Sequence, residues 1–78
     1  MDILGRLQDI FRDVFDDDAI ILTRETTAAD IEEWDSLMQM NLIVACEDEF
    51  GLRFNLREIA ELKNVGGMVD LVGRKLRL

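Results

Sequence analysis

The chain contains no histidine and a single cysteine, Cys46. Without histidine it lacks the usual base for a serine or cysteine nucleophile and the commonest side-chain ligand of catalytic metals. A self-sufficient hydrolase is therefore not expected, and the chain reads as a protein that is not itself an enzyme. One cysteine forms no internal disulfide and builds no thiolate zinc cluster, so the fold must stand on packing. No apolar run is long enough for a spanning helix, and the start Met1-Asp2-Ile3-Leu4-Gly5 lacks the basic opening and apolar stretch of a signal peptide. A cytoplasmic location without membrane insertion follows as the expectation. Basic residues are also scarce: nine stand against seventeen acidic ones, for a net charge of −8. Such a chain repels phosphate backbones and attracts proteins with basic patches, which argues against nucleic acid as a partner.

What is present suits a small folded domain. Seventy-eight residues, 49% of them hydrophobic and spread along the chain, predict one domain over 1–78 with one core. The run Asp16-Asp17-Asp18 does not fit a calcium loop, because Ile20 stands where the third oxygen ligand belongs; it reads as an acidic loop. Gly66-Gly67 lacks the lysine and glycine spacing of a phosphate cradle. No metal site is expected.

Periodicity predicts four helices. Ile3, Leu7, Ile10 and Val14, with Leu4, Phe11 and Phe15 beside them, mark an amphipathic helix over 3–15. From Asp16 to Asp35 the pattern is weak; Ile20, Ile21 and Leu22 are candidates for anchoring the segment, and Thr26 to Asp30 for capping a short turn. A connection of this length either carries function or hides an element. A second helix is expected from Ser36 to Phe50, closed by Gly51 as C-cap with Leu52 folding back. Asn55 and Glu58 form a capping-box variant opening a short third helix with Leu56, Ile59 and Leu62 on its apolar side. Asn64 is placed to cap a fourth, with Val65, Met68, Val69, Val72 and Leu76 inward, and Gly66 and Gly67 predict a loose first turn. Arg74, Lys75 and Arg77 complement the dipole at its C-terminal end.

The second helix has two apolar stripes. Leu42, Ala45, Cys46 and Phe50 lie on one side, and Leu37, Met40 and Val44 lie nearly opposite. One core cannot use both. Either the helix is sandwiched between neighbours, or the second stripe, edged by Asn41, Glu47 and Asp48, is a protein-docking face. Ser36 poses a second choice. At a helix start it reads as a cap, and Gln39 completes a capping-box spacing. Yet its hydroxyl also lies beside open backbone N–H groups and the positive end of the dipole, where an attached phosphate would be stabilised.

Trp34-Asp35-Ser36-Leu37, then Leu42-Ile43-Val44-Ala45 and Glu47-Asp48-Glu49-Phe50-Gly51, resemble the modification motif and second helix of acyl carrier proteins. The resemblance extends over nearly the whole chain. It implies an all-α, four-helix bundle of acyl-carrier type, with three longer helices, one short third helix and a long loop between helices one and two. It implies that Ser36, with Asp35 and Leu37 beside it, carries 4′-phosphopantetheine from coenzyme A, whose thiol bears acyl cargo as a thioester. By the same resemblance, Asp35 helps bind the metal ion used by the phosphopantetheinyl transferase. Leu37, Met40, Asn41, Val44, Glu47 and Asp48 would meet acyl-loading and condensing enzymes through basic or apolar docking patches, the carrier itself being a monomer. Leu42, Cys46, Ile59 and Leu62 would line a cavity for the acyl chain between helices two and three. Met38 and Asn41 stand where carriers of fatty-acid synthesis present acids, and Cys46 where leucine is usual, which points toward specialised partners. An aminoacyl or peptidyl carrier, and an unmodified helical interaction domain in which Ser36 only caps, are the competing readings.

Overall fold

The computed structural model describes residues 2–76; the readings that involve Met1 and Arg77 lie outside the described residues. Four α-helices and no strand form among these residues: α1 (Ile3–Phe15), α2 (Ser36–Phe50), α3 (Leu56–Glu61) and α4 (Val65–Leu76). A short 3-10 turn at Ala28–Asp30 interrupts the connection from α1 to α2.

The helix ends follow local chemistry. The Asp2 carboxylate accepts from the Gly5 amide at 2.9 Å and caps α1. Asp16 ends that helix in the left-handed region at φ 51°, with its amide turned back to the Arg12 and Asp13 carbonyls. A short polar side chain tolerates that conformation better than most. Asp17 then accepts from the Ala19 amide at 2.9 Å, so the acidic run is a helix stop and a turn. Gly51 closes α2 at φ 65°, where glycine carries no steric penalty, and the Leu52 amide returns to the Glu47 carbonyl. The Asn55 and Glu58 capping box opens α3, both bonds being present at 2.8 and 2.9 Å.

The core lies where α1, α2 and α4 meet. Leu7 and Phe11 from α1, Leu42 and Cys46 from α2, and Val65, Met68 and Val72 from α4 are fully buried. Each large apolar side chain removed from water contributes about 1.5–3 kcal/mol before entropy is counted, so this cluster is the main source of stability. Leu71, which the stripe along α4 had not included, is also buried, though outside this cluster. Lys75 binds Glu58 at 2.8 Å and lies over the Phe54 ring at 5.8 Å, tying α4 to the start of α3.

Three expectations need correction. Of Ile20, Ile21 and Leu22, only Leu22 is buried with Ile20 half-buried; Ile21 is 74% exposed, because Leu22 occupies the core while its neighbour in an extended stretch points away. Leu56 is 80% exposed: α3 has only six residues, and its inward face is filled by Ile59 followed by Leu62 at the C-cap. The first turn of α4 is not loose. The Arg24 and Thr26 carbonyls accept from the Gly66 and Val65 amides at 2.8 and 2.9 Å, satisfying N–H groups that a helix start leaves open. A Cβ at Gly66 would stand 2.9 Å from the Arg24 carbonyl oxygen, so glycine admits the loop backbone to that distance. The Gly67 amide in turn donates to the Asn64 side-chain oxygen at 2.8 Å.

The α1–α2 connection is thereby fixed at several points. The Leu22 amide donates to the Gln8 side chain at 3.0 Å and Arg12 donates to the Ile20 carbonyl at 2.9 Å. Arg24 grips both carboxylate oxygens of Asp70 on α4. This ordered path delivers Trp34 and Asp35 to the start of α2.

Candidate functional site

At the entrance to α2 the cap is Asp35, not Ser36. The Asp35 carboxylate accepts from the Met38 amide at 2.9 Å, and its carbonyl takes the Gln39 amide at 2.9 Å. Ser36 is the first helical residue, exposed, with its hydroxyl released from the capping role that its spacing to Gln39 suggested. Gln39 has another partner: its side-chain oxygen accepts the Trp34 indole N–H at 2.6 Å. Trp34 meanwhile packs edge-on against Phe11, ring centroids 5.1 Å apart at 86°. The residue two places before Ser36 is thus held by the core of α1 and by the first turn of α2.

The helix start leaves the Ser36 and Leu37 amides without partners within α2, at the positive end of its dipole. Beside them lies a groove of about 540 Å³ lined by Ser36, Trp34, Gln39 and Met40 on one side and by Ile59, Leu62 and Met68 on the other, with Lys63 and Asn64 at its polar part. Two of the residues expected along an acyl cavity, Ile59 and Leu62, line this groove. The other two do not: Leu42 and Cys46 are fully buried in the core behind it. The resemblance implied one cavity for all four, but Leu42 and Cys46 belong to the core, and Ser36, Gln39 and Met40 are the α2 residues that share the groove with Ile59 and Leu62. Trp34, Gln39 and Met68 were not anticipated here. The indole beside an amide-bearing side chain five residues later was the available signal.

Away from the core, Leu37, Met40 and Val44 are 70%, 48% and 53% exposed. The second stripe of α2 faces outward, which removes the sandwiched-helix alternative. Asn41 and Asp48 are exposed along it, and the Asn41 amide points to the Met38 sulfur at 3.8 Å. Glu47 is half-buried and its carboxylate accepts the Phe54 amide at 2.9 Å, so it also clasps the loop leading to α3.

Cys46 is closed off from this surface. Burial, reinforced by the nearby negative charges of Glu47 and Glu49, pushes its thiol up to about 12, which leaves it protonated and unreactive at neutral pH. Among the described residues no group of three or more histidine, cysteine or carboxylate side chains is arranged to hold a metal ion.

With that geometry, the comparisons with known proteins agree. Residues 5–72 match the family described as phosphopantetheine attachment site. Among solved structures, the chain is similar to the holo acyl carrier protein of Geobacter metallireducens, with 56% identity, 99% of this chain and 88% of that one covered, and a TM-score of 0.93. It matches none of the curated proteins. The chain belongs to the acyl carrier protein family, and its cofactor is covalently attached 4′-phosphopantetheine. The residues present fit that group: an exposed hydroxyl at a helix start, open amides to receive a phosphodiester, and an adjoining groove with apolar walls.

Proposed function

We propose that Ser36 is the attachment residue and that the chain, one carrier domain over residues 1–78, tethers acyl intermediates as thioesters and presents them to partner enzymes. The observation that carries this reading is the division of labour at the start of α2. Asp35 caps the helix, so the neighbouring Ser36 hydroxyl is free to be esterified without loss of the cap. The arm supplies a terminal thiol, which the buried, protonated Cys46 does not. Catalysis then rests with the partners.

The chain's own residues position and present. The Ser36 and Leu37 amides receive the phosphodiester, Trp34 and Gln39 hold the turn that carries it, and Ile59, Leu62 and Met68 shelter the first apolar part of the cargo. Leu37, Met40 and Val44 form the docking stripe, with Asn41, Glu47 and Asp48 along it. Met38 is half-buried rather than a surface acid, and Asn41 is neutral. Long-range steering at this end of the helix is therefore weaker than an acidic surface would give, and contact is more apolar. These features support dedicated partners in a specialised pathway, with the carrier acting as a cytoplasmic monomer. The test is incubation with a phosphopantetheinyl transferase and coenzyme A, followed by fragmentation. The arm is expected on the peptide containing Ser36; an arm on Thr23, Thr26 or Thr27 contradicts the assignment.

A further inference from the structure

A second groove, of about 410 Å³, lies between the end of α1 and the α1–α2 connection and shares no lining residue with the groove at Ser36. Phe15, Ile20 and Ile31 form its apolar wall, and Ile21 stands beside them 74% exposed. Ile21 thus adds exposed aliphatic surface next to the apolar wall. Carboxylates surround it. Asp17 and Asp30 are held in local turns by bonds from the Ala19 and Thr27 amides, whereas Glu25, Glu32 and Glu33 are exposed and absent from the described ion pairs. No basic side chain lines the groove. The nearest cations in sequence are engaged elsewhere, Arg24 with Asp70 and Arg12 with the Ile20 carbonyl.

We propose that this groove is a second docking site, independent of Ser36, for a segment of a partner protein that presents one large apolar side chain flanked by arginine or lysine. The charge complement argues for that occupant. Several like charges crowded on a small surface repel one another, and a cationic segment relieves the repulsion while its apolar residue covers Ile21. A second copy of the chain would bring another net charge of −8 to the same rim, so self-association is disfavoured. Because the two grooves share no lining residue, a partner bound here leaves the lining of the Ser36 groove open to another enzyme.

The probe is a twelve-residue peptide, about three helical turns, with one central leucine flanked by arginines. A counterpart has serine in place of the leucine. Each is titrated into isotopically labelled holo protein and followed by amide chemical shifts. Saturable shifts at Ile20, Ile21 and Ile31 are expected, weakening with salt. The serine peptide should bind about tenfold more weakly, the loss of one aliphatic contact, and Ile21→Ser should lose as much with the leucine peptide. Ile21 is exposed, so that variant should fold; Glu32→Gln with Glu33→Gln gives an independent check through a shallower salt dependence. Equal binding of the two peptides, shifts centred on Leu37 and Val44, no binding, or dimer formation through this face would each overturn the proposal.

Discussion

Trp34 donates its indole N–H to Gln39 at 2.6 Å while its ring stands edge-on against Phe11 at 5.1 Å. One side chain therefore joins the core of α1 to the first turn of α2, across the residue proposed to carry the arm. Trp34→Phe keeps the ring contact and removes the N–H. It should cost about 1 kcal/mol, the net value of one hydrogen bond, and slow modification by the transferase. Urea unfolding together with the rate of arm attachment measures both, and unchanged values in both would remove the positioning role.

Capping by Asp35 changes what a serine mutation should do. Ser36→Ala is expected to alter stability by less than about 0.5 kcal/mol, the range of an ordinary surface change. Asp35→Ala should cost about 1 kcal/mol through loss of the cap. Equal losses in the two variants would return the capping role to Ser36.

The two adjacent glycines in the first turn of α4, Gly66 and Gly67, should respond in opposite directions. Gly66→Ala puts a Cβ 2.9 Å from the Arg24 carbonyl and should destabilise by about 1–3 kcal/mol, as overpacking does. At Gly67 the nearest atoms lie at 3.5 and 3.9 Å, so alanine fits there, and its helix preference should stabilise by up to about 1 kcal/mol. Thermal unfolding of the pair decides; a stabilised Gly66→Ala would contradict the close approach of loop and helix.

How much of this was legible follows from what each residue does. The extent of α1 could be read because its apolar spacing is regular, and the end of α2 because Gly51 closes it with a side-chain-free turn. The outward stripe on α2 was visible too, but only as one of two alternatives, since an apolar helix does not say which face its neighbours will take. The cap was misplaced by one residue because aspartate and serine are equally good caps and stand side by side. Leu22 could not be told from Ile21 without knowing that Gln8 and Arg12 fix the loop's register. The reason for Gly66 lies forty-two residues away in sequence, at Arg24, where no local pattern reaches.

The pH response should be carried partly by Glu58 and Asp70. Hydrogen bonds from Lys75 and Arg24 hold these carboxyls below their ordinary values. A carboxylate depressed in the folded state stabilises above its unfolded pKa, and that contribution disappears as pH falls through the folded one. Stability should thus decline below the usual carboxylate range, and Lys75→Met should flatten that decline. Cys46 acts at the other end. Its raised pKa means that the unfolded chain releases the thiol proton first, so stability falls as pH rises from about 9 toward about 12. Thiol labelling should accordingly be slow in the folded protein and follow unfolding as urea is added; rapid labelling without urea would contradict the burial.

Partner preference should follow the charge at the start of α2. Met38→Asp with Asn41→Glu is expected to raise acceptance by a ketosynthase of fatty-acid synthesis, and moderate salt should remove the gain. If the unaltered protein already serves that enzyme as well as the enzyme's own carrier does, the specialised reading fails.

The carrier role itself is tested most directly by intact mass after arm attachment and acyl loading, followed by neutral hydroxylamine. The unaltered protein should gain the arm, then the acyl group, and lose only the acyl group to hydroxylamine, as a thioester does. Ser36→Ala should gain neither. An acyl group retained through hydroxylamine, or an arm that persists on Ser36→Ala, would contradict the assignment of Ser36 as the tether.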